Sequence, residues 1–415
     1  MKTSWVRRSL GTASVLGQVS RGVLQGKVNG WLNGGKDEAG KQKIIFESLT
    51  KQLGQYKGLM MKIGQAASYM DLSLPDEMRQ VLARLQDQVE PIAHDEIEKV
   101  FQEEFGLPPQ TLFHHWEPIP VAAASIGQVH RAVTKEGQQV AVKVQYPGIV
   151  KAVKNDFRGI SALTSVMKPI FKGLRVNELV EEVWAQLEAE CDYIHEAKNQ
   201  MEMKRLFADD PQVVIPGIVP TYSTKRILCS EWIDGQRFEN FRQTSQQTEK
   251  NAAGSIISHF YLTSALKHGV FNGDPHPGNY LFLPGKVCFL DYGHVKRWES
   301  DKKIKLRNLW QASINHDREA WDKAFFALHQ PVFKKNYDTS FYYHFYVDTL
   351  LMPYSIPHYR FHGDYFKGVA NSIMWEQPFR AQVMPDKDLI IWMRQIFGVN
   401  AVLSLLESES DFRFS

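Results

Sequence analysis

The sequence predicts an α+β protein of two lobes, a small β-rich one followed by a larger helical one, preceded by a helical extension. Three observations carry that expectation. From residue 119 to residue 145 apolar residues alternate with period two, the mark of half-buried strands. Before and after that stretch they recur mainly at helical spacing. Between Val270 and Gly293 a Pro- and Gly-rich turn gives way to an apolar run, Val287 to Leu290, that ends in Asp291-Tyr292-Gly293.

That last stretch organises the rest. Asp274 and Asn279 stand five apart, the D-x-x-x-x-N spacing of a kinase catalytic loop, and Asp291-Tyr292-Gly293 has the form of the metal-binding Asp-Phe-Gly element. The chemistry explains the pattern. A triphosphate concentrates negative charge, and its transfer needs one or two Mg²⁺ ions held by hard oxygen ligands. Asn279 and Asp291 would supply those oxygens, and Asp274 would orient the group receiving the phosphoryl. Pro275, Pro277 and Gly278 forbid a helix and fix a tight loop. Asp274 alone reads as an ordinary turn residue; the full constellation does not.

Composition sets bounds. A chain of 415 residues is long enough for two domains or one large two-lobed one, and 43% hydrophobic residues are enough for a core. A net charge of +3 argues against a general nucleic-acid binder. Cys191, Cys229 and Cys288 lie far apart, which excludes a disulfide scaffold and fits a reducing compartment. The most apolar stretch, Leu389 to Leu406, is interrupted by Arg394, Gln395 and Asn400, so no membrane span is expected. The start lacks the apolar core of a secretory signal.

In chain order, residues 1–43 form a basic amphipathic segment. Lys2, Arg7, Arg8, Arg21 and Lys27 carry no acidic counterpart before residue 36. A helix on an anionic membrane surface, a first helix packed on the domain, and a mitochondrial presequence all remain open. Residues 44–115 read as helices, the last of them, Ile97 to Phe105, stopped by Gly106-Leu107-Pro108-Pro109. Residues 116–235 form the β-rich lobe. Val121 to Arg131 reads as strand, small-residue turn, strand, and Gln139 to Gln145 as the next strand. There Val140, Val142 and Val144 share one face, and Ala141 and Lys143 the other. Val140-Ala141-Val142-Lys143 fits the kinase V-A-I-K pattern, with Ala141 leaving room for a base and Lys143 reaching the α/β-phosphates. A helix from about Asn177 to Phe207 offers Glu196 as the partner of Lys143; alternatively its acids form a solvated face. Two strand-like runs follow, Ile218 to Tyr222 and Arg226 to Trp232. Glu231 to Gly235 reads as a hinge, placing Glu231 and Ile233 at the nucleotide. Residues 236–415 form the helical lobe, with a helix at 250–268 closed by Gly269 and an aromatic core that includes Trp310, Trp321, Phe325, Phe326, Tyr342, Tyr343 and Phe345.

With these residues in place, the chain resembles the UbiB-like (AarF) atypical kinases, relatives of the protein-kinase fold linked to ubiquinone biosynthesis. The resemblance covers roughly residues 45–300. Lys62-Ile63-Gly64-Gln65 is similar to the family's K-x-G-Q motif, and Ala122-Ala123-Ala124-Ser125 to the Ala-rich loop that replaces the usual Gly-rich one. Lys143, Glu196, Asp274, Asn279 and Asp291 match the nucleotide lysine, its glutamate, the catalytic-loop aspartate and the two metal ligands. Glu190-Cys191-Asp192 matches the E-x-D motif. The resemblance implies that the K-x-G-Q helices cover the site a peptide substrate would occupy, with Lys62, Gly64 and Gln65 meeting Glu190 and Asp192. A lysine on an apolar helix needs such a partner. On an unbroken helix, however, Glu190 and Asp192 would diverge by roughly 200°. Three alanines restrict the backbone freedom that glycine gives a phosphate loop, so phosphate grip should differ from a protein kinase. Two departures stand out. Tyr292 replaces the usual Phe, and Asn272-Gly273 precedes Asp274 where a His-containing segment is usual, which leaves the scaffolding of the loop undetermined.

The resemblance thus implies a Mg²⁺- and ATP/ADP-binding atypical kinase or ATPase supporting quinone-lipid biosynthesis. It would be cytoplasmic, peripheral on an inner membrane, or in the mitochondrial matrix, with anionic or quinone-like lipid and quinone-biosynthesis enzymes as partners. Two alternatives stand beside it: a small-molecule phosphotransferase of the aminoglycoside or choline kinase type, and a nucleotide-gated pseudokinase that escorts lipids or partner enzymes.

Overall fold

The computed structural model describes residues 94–123, 126–150, 188, 191–331, 339–363, 365, 383–385 and 387–414. The expectations for the basic segment, for Lys62, Gly64 and Gln65, and for Ala124, Ser125 and Glu190 lie outside these residues.

The chain enters through helix α1 (His94–Phe105), which buries Ile97, Val100 and Phe101 and ends where Gly106 turns to φ +70°. After that stop, as expected from Gly106-Leu107-Pro108-Pro109, a separate helical turn follows, Pro109–Leu112. Strands β1 (His115–Trp116), β2 (Ala122–Ala123), β3 (Gly127–Val133), β4 (Gln139–Gln145) and β6 (Ile227–Glu231) form an antiparallel sheet in the order β1-β3-β4-β6, with β2 paired to β3. The period-two reading holds in detail: Val140, Val142 and Val144 are fully buried against α1, Phe113 and Trp116. The opposite face, with Ala141 and Lys143, is therefore left for function. Gly127 is required where β3 begins, because a Cβ there would stand 2.3 Å from the carbonyl oxygen of Val144.

Three expectations change here. His115 falls in β1, paired with Val133, so the helical reading of residues 44–115 ends inside the sheet. The run Ile218–Tyr222 is not a strand: Ile218 makes one isolated bridge to Ser230, and Pro220 imposes a 3₁₀ turn over Pro220–Tyr222. The helix that carries Glu196, α2, spans Tyr193–Leu206 rather than running on from residue 177, because Asp192 takes an extended backbone and caps it.

The helical lobe starts with β7 (Gln236–Arg237), α3 (Phe238–Thr244) and α4 (Gln247–Leu262). A π-helical turn, Thr263–His268, continues α4 until Gly269 stops it in the left-handed region. A four-stranded sheet, β5-β10-β9-β7, backs the site with β5 (Val213–Val214), β9 (Tyr280–Leu283) and β10 (Lys286–Phe289). β8 (Val270–Asn272) pairs with β11 (Val295–Arg297) across the mouth of the same loop system. Helices α5 (Ser300–Ile314), α6 (Arg318–Leu328) and α7 (Lys387–Leu405) complete the core, in which Phe260 stacks on Phe289 at 3.8 Å and Trp310 meets Trp392 edge-on. Of the aromatics expected there, Phe326 instead faces solvent, and Tyr342 and Tyr343 are half-buried. Arg394, Gln395 and Asn400 of α7 are buried, and among the described residues no helix is long and apolar enough to cross a membrane.

One core histidine gives a pH prediction. His329 is 4% exposed, its Nδ1 lies 2.8 Å from the Phe325 carbonyl oxygen, and burial lowers its pKa to about 4. The unfolded chain holds the same histidine near 6.5 and so takes up the proton first as pH falls. Stability should therefore be full above pH 6.5 and decline between 6.5 and 4, by about 3 kcal/mol from this group. Urea unfolding across that range should show the slope, and His329→Gln should reduce it; an unchanged slope in the variant would refute the assignment.

Candidate phosphoryl-transfer site

The open face of β4 presents Lys143 to α2. The Lys143 ammonium donates to both Glu196 oxygens, at 2.9 and 3.1 Å, and its Nζ lies 3.8 Å from Asp291 Oδ2. Glu196 is 1% exposed and the Lys143 side chain 19%, so this ion pair is mostly withdrawn from water. Burial alone would push the lysine pKa down, but the Glu196 and Asp291 carboxylates more than offset it and hold the ammonium well above its ordinary value. The lysine is fixed as a cation. The ring of Tyr193, 5.0 Å below the ammonium, adds a cation–π contact.

Why Glu196 sits there follows from Asp192. Its carboxylate accepts from the backbone N–H of Ile194 and His195, at 3.1 and 3.3 Å, fixing the first turn of α2. Glu196 then falls one turn inside, where the helix dipole favours a carboxylate. Asp192 itself stands at the N-cap of α2, not within it. One turn beyond Glu196, buried Asn199 donates to the Tyr292 carbonyl at 2.9 Å and accepts from Arg297 at 2.8 Å. The same helix thus holds Lys143 and the Asp291-Tyr292-Gly293 loop together.

The loop that carries Asp274 is built on Asn272, which sequence reasoning noted only as a departure from the family pattern. Its Oδ1 accepts from the Asp274 N–H at 3.1 Å, and its Nδ2 donates to the Asp291 carbonyl at 2.5 Å. Gly273 is tied by its N–H to the His294 carbonyl at 2.9 Å, and a Cβ on it would meet the His294 ring at 2.3 Å. Asn272, Gly273 and His294 therefore do the scaffolding that the sequence left undetermined; an asparagine before a D-x-x-x-x-N spacing was the available signal. The Asn279 amide donates to the Asp274 carbonyl at 3.1 Å, which leaves its oxygen for a cation. Backbone N–H of Leu290 to the Asn279 carbonyl, at 3.0 Å, closes the two loops on each other. Asp291 Oδ1 accepts from the Gly293 N–H at 2.9 Å, and the buried Tyr292 hydroxyl donates to the Phe289 carbonyl at 3.0 Å.

The donor set suits Mg²⁺. One carboxylate and one amide oxygen beside a phosphate site are what this ion takes, since it keeps several waters. Among the described residues no group of three or more His, Cys, Asp or Glu gathers as a self-sufficient protein cage would require.

The remaining expected residues are spread along the β-lobe. Ala122 and Ala123 form β2 opposite Val129 and Gln128. Ala141 pairs with Arg131 and Ser230 on the same face as Lys143. Glu231 ends β6, but its carboxylate accepts from Lys204 Nζ at 3.0 Å and the Gly217 N–H at 2.5 Å, and its own N–H goes to the Gly217 carbonyl. These groups brace α2 to the hinge. Ile233 lies just beyond, half-buried.

Against known proteins, the model of the ABC1 atypical kinase-like domain matches residues 84–325, more than half of the chain and the whole set from Lys143 to Asp291. The chain belongs to the ABC1 atypical-kinase-like family. It is 30% identical over 292 residues to the mitochondrial atypical kinase COQ8 of Saccharomyces cerevisiae, covering 69% of this chain and 58% of the yeast protein. It is 33% identical over 295 residues to the chloroplastic protein Activity of bc1 complex kinase 3 of Arabidopsis thaliana, covering 69% and 41%. The chain therefore spans about half the length of these curated relatives. Among solved structures, the Rv3197–erythromycin complex from Mycobacterium tuberculosis superposes with a TM-score of 0.65 at 25% identity, covering 90% of this chain and 95% of that one. The mixed α/β kinase-like fold and the UbiB-like resemblance are thereby shown.

In an ABC1 kinase-like chain held this way, the α2-to-metal-loop bond should matter to the fold. Asn199→Ala leaves the buried Tyr292 carbonyl and the Arg297 guanidinium each short of a partner, so unfolding free energy should drop by about 1–3 kcal/mol. Chemical denaturation of the variant beside the native chain measures it; a loss within experimental error would mean that α2 is not anchored to the metal loop.

Proposed function

We propose that this chain is a UbiB-like atypical kinase or ATPase that binds an Mg²⁺–adenine nucleotide and supports quinone-lipid biosynthesis at a membrane surface. The observation that carries the proposal is the meeting of Lys143 with Glu196 and Asp291, residues drawn from β4, α2 and the end of β10. An ammonium has three donors. Glu196 takes two of them and leaves one for an α/β-phosphate oxygen. Asn279 and Asp291 would hold the metal, and Asp274 would orient the acceptor hydroxyl or water. When bound, the ion neutralises charge developing on the transferred group. Ala122 to Ser125 would form the loop above the phosphates, with Ala141 beside the base and the hinge near Glu231 and Ile233 next to it.

In this reading residues 1–43 approach lipid and residues 44–115 carry the K-x-G-Q extension. Residues 116–235 and 236–415 are then the two kinase-like lobes. Lys62, Gly64 and Gln65 would meet Glu190 and Asp192 and close the cleft to peptides, which directs the chemistry toward small or lipid acceptors. Anionic or quinone-like lipid and quinone-biosynthesis enzymes are the proposed partners. An inner-membrane surface, mitochondrial in a eukaryote, is the proposed location.

The test is ATP hydrolysis by the full chain with and without anionic or quinone-like lipid. Asp291→Asn should lower the Mg²⁺-dependent rate on the order of a hundredfold and raise the Mg²⁺ concentration needed for nucleotide binding. An unchanged Mg²⁺ requirement in the variant would count against these roles. Nucleotide binding without hydrolysis, lipid present, would favour the escort reading; rapid phosphorylation of a soluble alcohol would favour the aminoglycoside or choline kinase type.

A further inference from the structure

Helix α7 lies outside the family-matched residues, yet it forms the floor of the catalytic loop. Two close approaches fix the register. A Cβ on Gly398 would stand 2.3 Å from Pro275 Cγ, and a Cβ on Gly273 would stand 3.3 Å from Ile391 Cγ2. Ile391 therefore lies under Gly273 and Gly398 under Pro275. At about 100° per residue, position 395 falls on the stripe that joins 391 and 398. Arg394 and Gln395 both fall on that face, midway between the two contacts, and so lie on the side of α7 that meets the loop carrying Asp274.

Gln395 is fully buried, and neither Nε2 nor Oε1 has a hydrogen-bond partner. An amide in that position calls for an explanation, since buried polar groups are nearly always paired. Leucine or methionine would fill the space without the penalty. Arg394, one residue earlier and also buried, has a partner of its own.

We propose that Gln395 is a positioning residue for the Asp274 loop, its carboxamide taking a polar group of Gly273–His276 when the loop engages nucleotide and acceptor. It acts through Asp274 and does not touch the reacting atoms. The proposal rests on the phosphoryl-transfer reading above. It adds a residue from beyond the matched span to the machinery of that site. The orphaned amide is then a cost kept in one loop arrangement so that the other can be held.

The experiment measures ATP hydrolysis by the full native chain, Gln395→Met and Gln395→Glu. Gln395→Met keeps the volume and removes the amide. It should melt at the native temperature or above, with kcat reduced on the order of tenfold to a hundredfold and KM for ATP changed by less than about twofold. Gln395→Glu should be impaired at neutral pH and recover as pH falls. Burial raises a carboxyl pKa, and the protonated acid has the shape of glutamine with one donor. The charged or titratable groups on the loops that meet α7 are Asp274, His276 and His294, with Arg394 on α7 itself, so the profile is compared with that of the native chain. A native kcat in Gln395→Met, or parallel pH profiles for Gln395→Glu and the native chain, overturns the proposal while leaving the site reading intact. No hydrolysis by the native chain overturns the reading and this inference together. Should Gln395→Met not fold, the Gln395→Glu profile decides alone.

Discussion

The structure depends on keeping one lysine charged in a place that disfavours charge. Lys143 emerges from a strand whose other face is wholly apolar, and water reaches little of it. An isolated ammonium there would surrender its proton or the fold would open to hydrate it. Glu196 prevents both, and it can do so only if α2 starts at the right residue. That start is set by Asp192. The carboxylate that caps the helix, the carboxylate one turn later and the lysine across the cleft form a single chain of causes, from sequence spacing to the charge state of the site.

The same helix explains why the Asp291-Tyr292-Gly293 loop is not independent of the lysine. Asn199 is three residues beyond Glu196, on the adjacent turn and nearly the same face, and it grips the Tyr292 carbonyl. Any tilt of α2 that loosens Lys143 also pulls on Asp291-Tyr292-Gly293. Glu231, with Lys204 and Gly217, ties the far end of α2 to the end of β6.

Much of this was legible in the sequence, and the reason is local. The V-A-V-K strand declares its buried face by period two, and Gly269 and Gly106 stop their helices through backbone conformations that favour glycine. Asp274, Asn279 and Asp291 stand in fixed spacing because the loop that carries them is short. The misreadings share a cause as well. Ile218–Tyr222 has strand composition but contains Pro220, and the fixed proline φ outweighed propensity. Asp192 looked like a mid-helix residue because the apolar pattern ran on past it, whereas its side chain competes for backbone N–H groups and begins the helix instead. The roles of Asn199 and Gln395 could not be found by spacing at all, and that of Asn272 only through its place just before Asp274. The partners of Asn199 and Asn272 are 93 and 19 residues away in sequence, and α7, which carries Gln395, meets the Asp274 loop only in the folded chain.

The chemical type of these supporting residues is itself informative. Asn199, Asn272 and Asn279 are all neutral amides, each donating to a carbonyl of the two loops, and none adds charge beside Glu196, Lys143 and Asp291. A lysine or arginine in their place would compete with a metal ion for Asp291, and another carboxylate would compete with Asp291 for the metal. Amides give direction without charge. The two loops can therefore be held without adding charge to Lys143, Glu196, Asp274 and Asp291. Gln395 extends that logic to the floor beneath Asp274, where a charged side chain would shift the acid–base behaviour of the loop and an apolar one would support it without orienting it.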